Sequence, residues 1–460
     1  MYEMRSISIS HEAAPGYFSR FSMEAQAKEI VRKLRDTGFV AYFAGGCVRD
    51  MLLGKKAVDI DIATDAAPEA VQKLFPRTIA VGAQFGVIIV VVQGGEYEVA
   101  TFRSDGAYID GRRPEGVTFT TAEGDAERRD FTVNGLFYDP LEDKVLDYVG
   151  GRADLEAGIL RAIGDAAQRF EEDRLRVLRG VRFAAALGFQ VEELTWQAIR
   201  DKAPAIHAVS AERIREELVK IFVSPTRVRG FDLLDESGLL QELLPEVAAL
   251  KGCEQPPEFH PEGDVFVHTR IMLELLPAEV SPELVLAVLF HDIGKPPTMQ
   301  VDPTGRIRFN GHESVSARMT EKIMRRLRFS NEETVATIEM VQNHMVFKDV
   351  QNMRVARLKR FMARPTFEEE MELHRVDCQS SHGMLDNHVF LRAKQEEFAN
   401  EPLIPAPLLN GRDLISLGWK PGPRFKEILE AAETLQLEGQ FTTREEALAW
   451  LKTHYSITSS

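Results

Sequence analysis

The stretch Ala44-Gly45-Gly46-Cys47-Val48-Arg49-Asp50, followed by Val58-Asp59-Ile60-Asp61-Ile62-Ala63-Thr64, decides the fold of the first part of this chain. In a strand, residues two apart project from the same face, so the carboxylates of Asp59 and Asp61 are expected to converge while Ile60 points into a core. Two oxygen ligands on one edge predict a Mg²⁺ site, because this ion favours carboxylates and keeps open positions for water and phosphates.

The Gly45-Gly46 step adds a second element to this site. Without a Cβ in the way, its backbone N–H groups can approach a triphosphate, and Arg49 can add a charge-assisted contact. Each element alone is common at strand ends or in turns. Their order and proximity indicate nucleotidyl transfer.

The segment Arg128-Arg129-Asp130-Phe131-Thr132-Val133-Asn134 places two cations, an acid and an amide within seven residues. Arginine forks match phosphate oxygens, Asn134 can bond a ribose hydroxyl, and Asp130 can orient an arginine or join the metal shell. A surface turn with a stray ion pair is the alternative.

The segment from Glu172 to Phe183 is predicted to form one helix with a charged stripe. Residues three apart on a helix are neighbours, although a strict three-residue period drifts around the axis, so the stripe is curved. It offers donors and acceptors along a bound nucleotide, with a solvated, salt-bridged helix as the alternative. Its members are Asp173, Arg176, Arg179 and Arg182.

The segment from Ala44 to Thr64 resembles the head of the class II nucleotidyltransferases, which comprise CCA-adding enzymes, CC- or A-adding enzymes and bacterial poly(A) polymerases. The Arg-Arg-Asp-Phe-Thr-x-Asn and Glu-Asp-x-x-Arg motifs resemble the same family in the same order. The resemblance implies that Asp173 and Arg176 hydrogen-bond the Watson–Crick edge of the incoming base. The implied catalytic residues are Asp59, Asp61 and Asp130, and the implied nucleotide-binding residues are Gly45, Gly46, Arg49, Arg129, Asn134, Asp173, Arg176, Arg179 and Arg182.

The stretch from Thr101 to Pro114 contains two glycines, alternating charges and no apolar period, which predicts a mobile loop that closes on substrate. It resembles the flexible loop of the family. Enzymes that add only CC lack a complete loop, so the resemblance favours an enzyme that can add the terminal A.

Six further residues match the order of the HD superfamily, whose metal-dependent phosphohydrolase branch has two extra histidines. The resemblance implies a second divalent ion, of which Mn, Ni, Fe, Zn and Mg are all compatible with imidazole and carboxylate ligands. A lone histidine is more often a surface or core residue, but the whole set is hard to assemble by accident. The implied ligands are His268, His291, Asp292, His312, His344 and Asp377.

The pattern along the chain predicts an α+β protein. A helix is expected from Ser19 to Thr37 with Gly38 as its C-cap, and a hairpin from the apolar runs Val87–Val92 and Tyr97–Phe102. After residue 150 the pattern is helical. The predicted domains are a catalytic head at 19–150, a helical neck for base selection and RNA binding at 151–250, an HD domain at 264–385 and a C-terminal helical region at 402–460.

Composition sets further limits. The net charge of −15 argues against nonspecific coating of a duplex, so an RNA substrate needs local basic surfaces such as Arg354–Arg364 or Arg325–Arg328, for which solvated helix faces are the alternative. Three scattered cysteines exclude a disulfide framework. No apolar run reaches membrane-spanning length and the N-terminus lacks a signal-peptide pattern, so a cytoplasmic protein without a membrane partner is expected.

The resulting functional hypothesis is a Mg²⁺-dependent tRNA nucleotidyltransferase that adds CCA, or its terminal A, to tRNA 3′ ends from CTP and ATP. A bacterial poly(A) polymerase is the nearest alternative. An HD phosphohydrolase with a nucleotide-sensing head and a noncatalytic nucleic-acid-binding module are alternatives of other classes. The sequence does not specify the HD metal or the oligomeric state.

Overall fold

The computed structural model describes residues 18–82, 85–93, 95–106, 116–256, 260–261 and 263–455. The chain divides into two compact units, one formed by Met1–Ile221 with Asp232–Glu242 and the other by Phe222–Phe231 with Leu243–Ser460. None of the described helices has both the length and the apolar composition needed to cross a bilayer. The predicted domain boundaries remain predictions.

The first unit contains the extended segments of an α/β head. Its strands are β1 Ala41–Ala44, β2 Ile62–Thr64, β3 Thr78–Gly82, β4 Val87–Val92, β5 Gly95–Thr101, β6 Arg103–Asp105, β7 Val117–Phe119, β8 Phe137–Asp139, β9 Lys144–Leu146, β10 Ile159–Leu160 and β11 Gln190–Val191. Within the described residues, seven of them form one sheet in the order β3-β4-β5-β2-β1-β8-β9.

Pairing in this sheet is antiparallel except between β2 and β5. The predicted hairpin is confirmed, since β4 and β5 pair antiparallel with Val92 opposite Gly95. Most side chains of β1 and all of β2 are buried, as expected for central strands covered on both faces. The buried core therefore includes β2, the strand that directly follows the Asp pair.

Helices surround the sheet and continue beyond it. They are α1 Phe18–Asp36, α2 Gly46–Leu52, α3 Pro68–Leu74, α4 Ala122–Glu127, α5 Gly151–Ala157, α6 Ala166–Glu172, α7 Leu175–Leu187, α8 Glu193–Lys202, α9 Ala211–Phe222, α10 Arg227–Glu236 and α11 Leu239–Leu243, with 3₁₀ helices at Thr132–Asn134 and Ala203–Ala208. The predicted first helix is confirmed. Gly38 follows it with φ of 91°, and its N–H donates to the carbonyl of Arg35.

Two local predictions are wrong. Asp59 and Asp61 do not lie in a strand, because β2 begins only at Ile62. The alternation survives in the extended approach to β2, where Ile60 is buried and both acids are exposed. The predicted single helix is interrupted at Asp173, whose φ of −134° is extended and whose Oδ1 accepts a hydrogen bond from the N–H of Leu175.

The predicted mobile loop is only partly described. Its first residues form β6, which pairs antiparallel with β7. Residues 107–115 lie outside the described part of the chain. The loop's proposed closure on substrate therefore remains a prediction.

The second unit is mainly helical. Its elements are α12 Pro245–Ala248, α13 Val265–Leu275, α14 Pro282–Phe290, α15 Lys295–Thr298, β12 Gln300–Val301, β13 Ile307–Arg308, α16 His312–Arg326, α17 Asn331–Asn343, a 3₁₀ helix at His344–Asn352, α18 Val355–Met362, α19 Phe367–Ser380, α20 Asp386–Phe398, α21 Gly411–Ser416, α22 Pro423–Leu437 and α23 Arg444–His454. Every residue from Leu284 to Phe290 is buried, so α14 is a central helix. The predicted fold class, an α/β head followed by helical regions, is confirmed.

The basic segments proposed as RNA contacts are largely engaged in packing. Arg360 donates to Glu433 at 2.9 Å, and Arg326 donates to both carboxylate oxygens of Glu246 at 2.7 and 2.9 Å. The ammonium of Lys359 lies 5.1 Å from the ring centroid of Phe398. These contacts favour the packed-face alternative for both segments.

Candidate nucleotide-binding and metal-binding sites

A cavity of about 470 Å³ lies within the first unit. Its lining contains every residue that the sequence assigned to catalysis or nucleotide binding in the head and neck, together with Arg128 and Phe183. The complete lining is Gly45, Gly46, Arg49, Asp59, Asp61, Arg128, Arg129, Asp130, Asn134, Asp173, Arg176, Arg179, Arg182 and Phe183. The fold thus brings four separate sequence segments to one concave surface.

Acidic charge is concentrated at the Asp pair. The surrounding protein removes water from the Asp61 carboxyl, and this desolvation, together with the negative charges of Glu98 and Asp59, raises its pKa to about 6. The positive charge of Arg129 opposes this shift. Glu98 lies on β5, which pairs directly with β2. A cluster of carboxylates that disfavours its own ionisation is a suitable binding place for a divalent cation.

Gly45 allows an arginine to approach the backbone. It has φ of 75°, and a Cβ at this position would lie only 2.7 Å from Nη1 of Arg129. The same nitrogen donates to the carbonyl of Asn134 at 3.3 Å, and the guanidinium lies 5.1 Å from the ring centroid of Phe137. Any larger residue would displace Arg129 from beside the Gly-Gly step.

A chain of hydrogen bonds connects the arginines on two sides of the cavity. Nη1 of Arg49 donates to Oδ1 of Asn134 at 2.6 Å, and Nδ2 of Asn134 donates to Oδ1 of Asp130 at 3.0 Å. Oδ2 of Asp130 accepts from Nε of Arg179 at 2.8 Å and lies 2.7 Å from its Nη2. Of the two roles suggested for Asp130, these contacts favour orienting an arginine.

The electrostatics of Asp130 agree with this role. Burial alone would raise the pKa of the carboxyl, but the charge of Arg179 and hydrogen bonds from Asn134, Arg179 and the Phe131 N–H lower it to about 2. The group is therefore a permanent anion at neutral pH.

The residues expected to recognise the base are held by their neighbours. Arg213 on α9 donates to both carboxylate oxygens of Asp173, at 3.2 and 2.8 Å. Arg176 donates to the carbonyls of Arg169 and Arg128, each at 3.0 Å. A further bond from Arg176 reaches Glu172 at 2.9 Å.

Arg179 and Arg182 extend this surface along α7. Glu217, which is buried, accepts from Nε of Arg182 at 2.5 Å and lies 3.9 Å from Nη1 of Arg179. Both guanidinium groups lie over the ring of Phe183, that of Arg182 4.0 Å and that of Arg179 5.1 Å from its centroid. The aromatic ring and one acid thus fix two cations that face the cavity.

Sequence reasoning missed several supporting residues. Asp125 was detectable, because it precedes Arg128 and Arg129 at helical spacings of three and four residues. Glu98, Arg213 and Glu217 lie far along the chain from the groups they influence, and no local spacing reveals them.

A second candidate site lies in the second unit. It contains two overlapping groups of side chains whose ligand atoms lie within 4.8 Å of one another, and Asp292 belongs to both. The groups are His268, His291 and Asp292, and Asp292, His312 and His344. Asp377 joins them through Oδ1, which lies 3.2 Å from Nε2 of His268. All six ligands implied by the sequence resemblance are therefore adjacent.

Backbone carbonyls orient three of the histidine rings through their Nδ1 atoms. Nδ1 of His291, His312 and His344 lies 2.7 to 2.9 Å from the carbonyls of Val288, Phe309 and Val341 respectively. A carbonyl only accepts, so each Nδ1 carries the proton and Nε2 is directed at the shared centre. This arrangement is typical of metal-binding histidines.

The buried charges also fit a cation. Nε2 of His291 lies 3.1 Å from Oδ2 of Asp292, and Nε2 of His312 lies 3.3 Å from Oδ1 of the same carboxylate. Burial opposes ionisation of Asp292, but His291 and Lys295 hold its pKa well below the usual value. Burial and the charge of His291 lower the pKa of His344 to about 3, so its ring is neutral. An anionic carboxylate beside the neutral imidazole of His344 fits a divalent ion.

This cluster opens to a cavity of about 530 Å³ with a partly basic lining. Lys295 is buried there, with Nζ 2.7 Å from Oδ2 of Asp292 and 2.6 Å from Oε1 of Gln255. Arg306, Arg308 and Lys348 add positive charge to the lining. The cavity can therefore admit an anionic ligand.

Comparison with known families agrees with this geometry. A family model described as the poly A polymerase head domain matches residues 41–161, a probable RNA and SrmB-binding site of polymerase A matches 188–251, and an HD domain matches 264–378. Three successive segments of the chain are thus similar to a polymerase head, an RNA-binding region and an HD domain. The head and HD matches imply use of divalent metal, whose identity they do not give.

Curated proteins similar to this chain include CCA-adding enzymes. A CCA-adding enzyme of Geobacillus stearothermophilus is 46% identical over 215 residues, which are 46% of this chain and 53% of that protein. A CCA-adding enzyme of Streptococcus mutans is 44% identical over 210 residues, 45% of this chain and 52% of that protein. The matched region thus spans about half the length of these relatives.

Solved structures resemble the whole chain. A Bacillus stearothermophilus CCA-adding enzyme in complex with CTP has a TM-score of 0.73 and 28% identity, covering 96% of this chain and 98% of that one. A Thermotoga maritima CCA-adding enzyme complexed with tRNA has a TM-score of 0.59 and 19% identity, covering 96% of each chain. The second likeness concerns the fold alone.

Proposed function

We propose that this protein is a tRNA nucleotidyltransferase that adds CCA, or its terminal A, to tRNA 3′ ends from CTP and ATP. The observation that carries the proposal is one cavity lined by a carboxylate pair at one side and by Asp173 and Arg176 at another. A polymerase without a nucleic-acid template needs both parts, one for chemistry and one for base choice.

The donor and acceptor pattern supports a choice of C and A. Arg176 uses three of the five N–H groups of a guanidinium on protein acceptors, which leaves two for a base. Asp173 offers an acceptor to an exocyclic amino group. Cytosine and adenine carry that group, whereas uracil and guanine carry a carbonyl oxygen in its place, which an anionic acceptor repels.

Mg²⁺ is the metal we propose for Asp59 and Asp61, with Glu98 contributing charge from β5. When bound, this ion neutralises phosphate charge and activates the primer's 3′-hydroxyl for in-line displacement at the α-phosphate. The protein's own contribution is to hold the triphosphate with Gly46, Arg49 and Arg129. A cytoplasmic location is proposed on the same grounds, since tRNA is the substrate.

The test is incorporation of labelled CTP and ATP with Mg²⁺ into tRNA transcripts ending at the discriminator base, at C and at CC. Ordered addition of CCA that then stops supports a CCA-adding enzyme, and A alone on the CC-ended transcript supports an A-adding enzyme. Long A tails on an oligoadenylate control would indicate a poly(A) polymerase. Asp61→Ala is expected to abolish incorporation, whereas Glu69→Ala, an exposed acid on α3, is the matched control.

The histidine cluster of the second unit supports a second candidate function, a metal-dependent phosphohydrolase. The observation that favours it is the convergence of the Nε2 atoms with Asp292 in a cavity that has cations in its lining. A bound divalent ion would supply a nucleophile at neutral pH. Release of p-nitrophenol from bis-p-nitrophenyl phosphate with Mn²⁺, Ni²⁺ or Mg²⁺ tests it, and no release by the wild type with any ion would contradict it.

A further inference from the structure

Asp125 is a buried acid on α4 that lies next to the nucleotide-binding cavity without lining it. Its side chain is only 2% exposed. The arginines that it contacts, Arg128 and Arg129, do line the cavity. Asp125 therefore acts through other side chains rather than by touching a ligand.

The two carboxylate oxygens of Asp125 are divided between the two arginines. Oδ1 accepts from Nε of Arg128 at 2.8 Å and lies 2.8 Å from its Nη2. Oδ2 accepts from Nε and Nη2 of Arg129, at 3.2 and 3.0 Å. Asp125 thus holds each guanidinium by its Nε and Nη2 groups, and the Nη1 group of each arginine points away from the acid.

The Nη1 end of Arg129 lies at the phosphate cradle. It is 2.7 Å from the position that a Cβ of Gly45 would occupy. Asp125 also accepts from the N–H of Arg103 at 3.2 Å, which attaches the start of β6 to the same carboxylate. Burial opposes ionisation of Asp125, but the charges of Arg128 and Arg129 hold its pKa below the usual value, so it is anionic at neutral pH.

We propose that Asp125 is a positioning residue that directs Arg128 and Arg129 at the phosphates of the incoming nucleotide. The proposal rests on the proposed nucleotide-binding function of this cavity. It assigns to Asp125 the preference for a triphosphate over a monophosphate, and not the choice of base. Base choice belongs to Asp173 and Arg176, which Asp125 does not contact.

A purely structural acid would have a different signature. If Asp125 only stabilised the fold, its substitution would weaken binding of CTP and CMP by the same factor. If it aims the arginines, the loss grows with the number of phosphates, because the base and ribose contacts are unchanged. The ratio of the two dissociation constants therefore separates the two roles.

The experiment is calorimetric titration of the full chain with CTP, CDP and CMP in the presence of Mg²⁺ and without tRNA. In Asp125→Asn we expect CTP affinity to fall on the order of tenfold while CMP affinity changes less than twofold, since only charge-assisted phosphate contacts are disturbed. Asp139→Asn is the matched control, because Asp139 is also buried and accepts from Arg35 at 2.6 Å but does not line the cavity. We expect it to leave the CTP-to-CMP ratio unchanged.

A double-mutant cycle adds a second measurement. In an Arg128→Ala/Arg129→Ala background, Asp125→Asn should have no further effect on CTP affinity, because its proposed targets are absent. Asp125→Glu, which keeps the charge, should retain part of the triphosphate preference and serves if Asp125→Asn does not fold. A ratio of CTP to CMP dissociation constants that stays at the wild-type value in Asp125→Asn, whether or not both affinities fall, would overturn the role of Asp125. Failure of the wild type to bind any of the three nucleotides would instead overturn the proposed function.

Discussion

Arg213 binds Asp173 through two parallel hydrogen bonds, with Nη1 at 3.2 Å from Oδ1 and Nη2 at 2.8 Å from Oδ2. The N–H of Leu175 donates to the same Oδ1 at 3.1 Å. Three donors from two directions fix the plane of the carboxylate at the junction between α6 and α7. Arg213 does not line the cavity, so it acts on a ligand only through Asp173.

The first prediction concerns base selection. Arg213→Lys replaces a planar fork by a single ammonium, which cannot hold both oxygens of Asp173. We expect discrimination of CTP over UTP to fall on the order of tenfold, because a bidentate contact is worth about 1–3 kcal/mol in choosing a base. The measurement is kcat/KM for each nucleotide with a tRNA primer.

Arg200→Ala is the control for Arg213→Lys, because Arg200 is an exposed cation on α8. It should leave the CTP-to-UTP ratio at the wild-type value. A ratio that stays unchanged in Arg213→Lys, with overall activity lowered, would mean that the ion pair only stabilises the fold.

The second prediction concerns pH. The pKa of Asp61 is about 6 in the folded state, above its usual value near 4. Between about pH 4 and pH 6 the folded state therefore keeps a proton on this carboxyl that the unfolded state has lost. The stability contributed by this group is complete below about pH 4 and is lost as the pH rises through about 6. Asp61→Asn removes this loss. In EDTA, its melting temperature should therefore exceed that of the wild type at pH 8, and the excess should shrink toward pH 4.

Scanning calorimetry from pH 4 to 8 measures this difference. Added Mg²⁺ should raise the melting temperature of the wild type at pH 8 and have less effect on Asp61→Asn, because the ion neutralises the same repulsion. An Asp61→Asn advantage that is independent of pH would show that the substituted amide, and not the missing charge, changes stability.

How far the sequence predicts this molecule depends on whether a feature is local. The β4–β5 hairpin follows from two apolar runs joined by glycines. The charged motifs could be assigned to one site because they follow one another along the chain in the order of a known family, although each alone is a weak signal. The interruption at Asp173 was missed, because the helical pattern continues through it and only the Leu175 N–H bond marks the break. Arg213 and Glu217 were missed because a partner some 40 residues away leaves no periodic signal.

The third prediction concerns the metal of the second unit. Asp292 belongs to both candidate ligand groups, so Asp292→Asn should weaken binding more than loss of a ligand that belongs to one. We expect affinity for Mn²⁺, titrated alone by calorimetry, to fall at least about tenfold. Substituting even a residue that only hydrogen-bonds a metal ligand commonly lowers metal affinity by about that factor. Incorporation of CTP and ATP should persist, because Asp292 does not line the nucleotide cavity.

Asp349→Asn provides the comparison for Asp292→Asn, since Asp349 is exposed in the same unit. It should bind Mn²⁺ as the wild type does. Equal Mn²⁺ affinity of Asp292→Asn and the wild type would remove the histidine cluster as the binding place.

The last prediction concerns stability. Arg227 is only 2% exposed and binds four carbonyls. Its Nε donates to Phe222 at 3.0 Å and its Nη1 to Leu276 at 3.3 Å, while Nη2 donates to Pro277 at 2.9 Å and to Ala278 at 3.0 Å. The guanidinium thus satisfies the carbonyls that follow α13, whose own helical pattern has ended there. Arg227→Ala leaves the carbonyls of Phe222 and Leu276, whose bonds to Arg227 are buried, without this donor.

We expect Arg227→Ala to lower the free energy of unfolding of the second unit by about 1–3 kcal/mol, the usual cost of leaving a buried acceptor without its donor. Urea unfolding followed by circular dichroism measures it, with Arg357→Ala, an exposed arginine on α18, as the control. Arg227→Lys should be intermediate, because one ammonium has three donors and cannot span four carbonyls from a single point. A loss below about 1 kcal/mol for Arg227→Ala would mean that water replaces the guanidinium at these carbonyls, since the acceptors would then not remain unsatisfied.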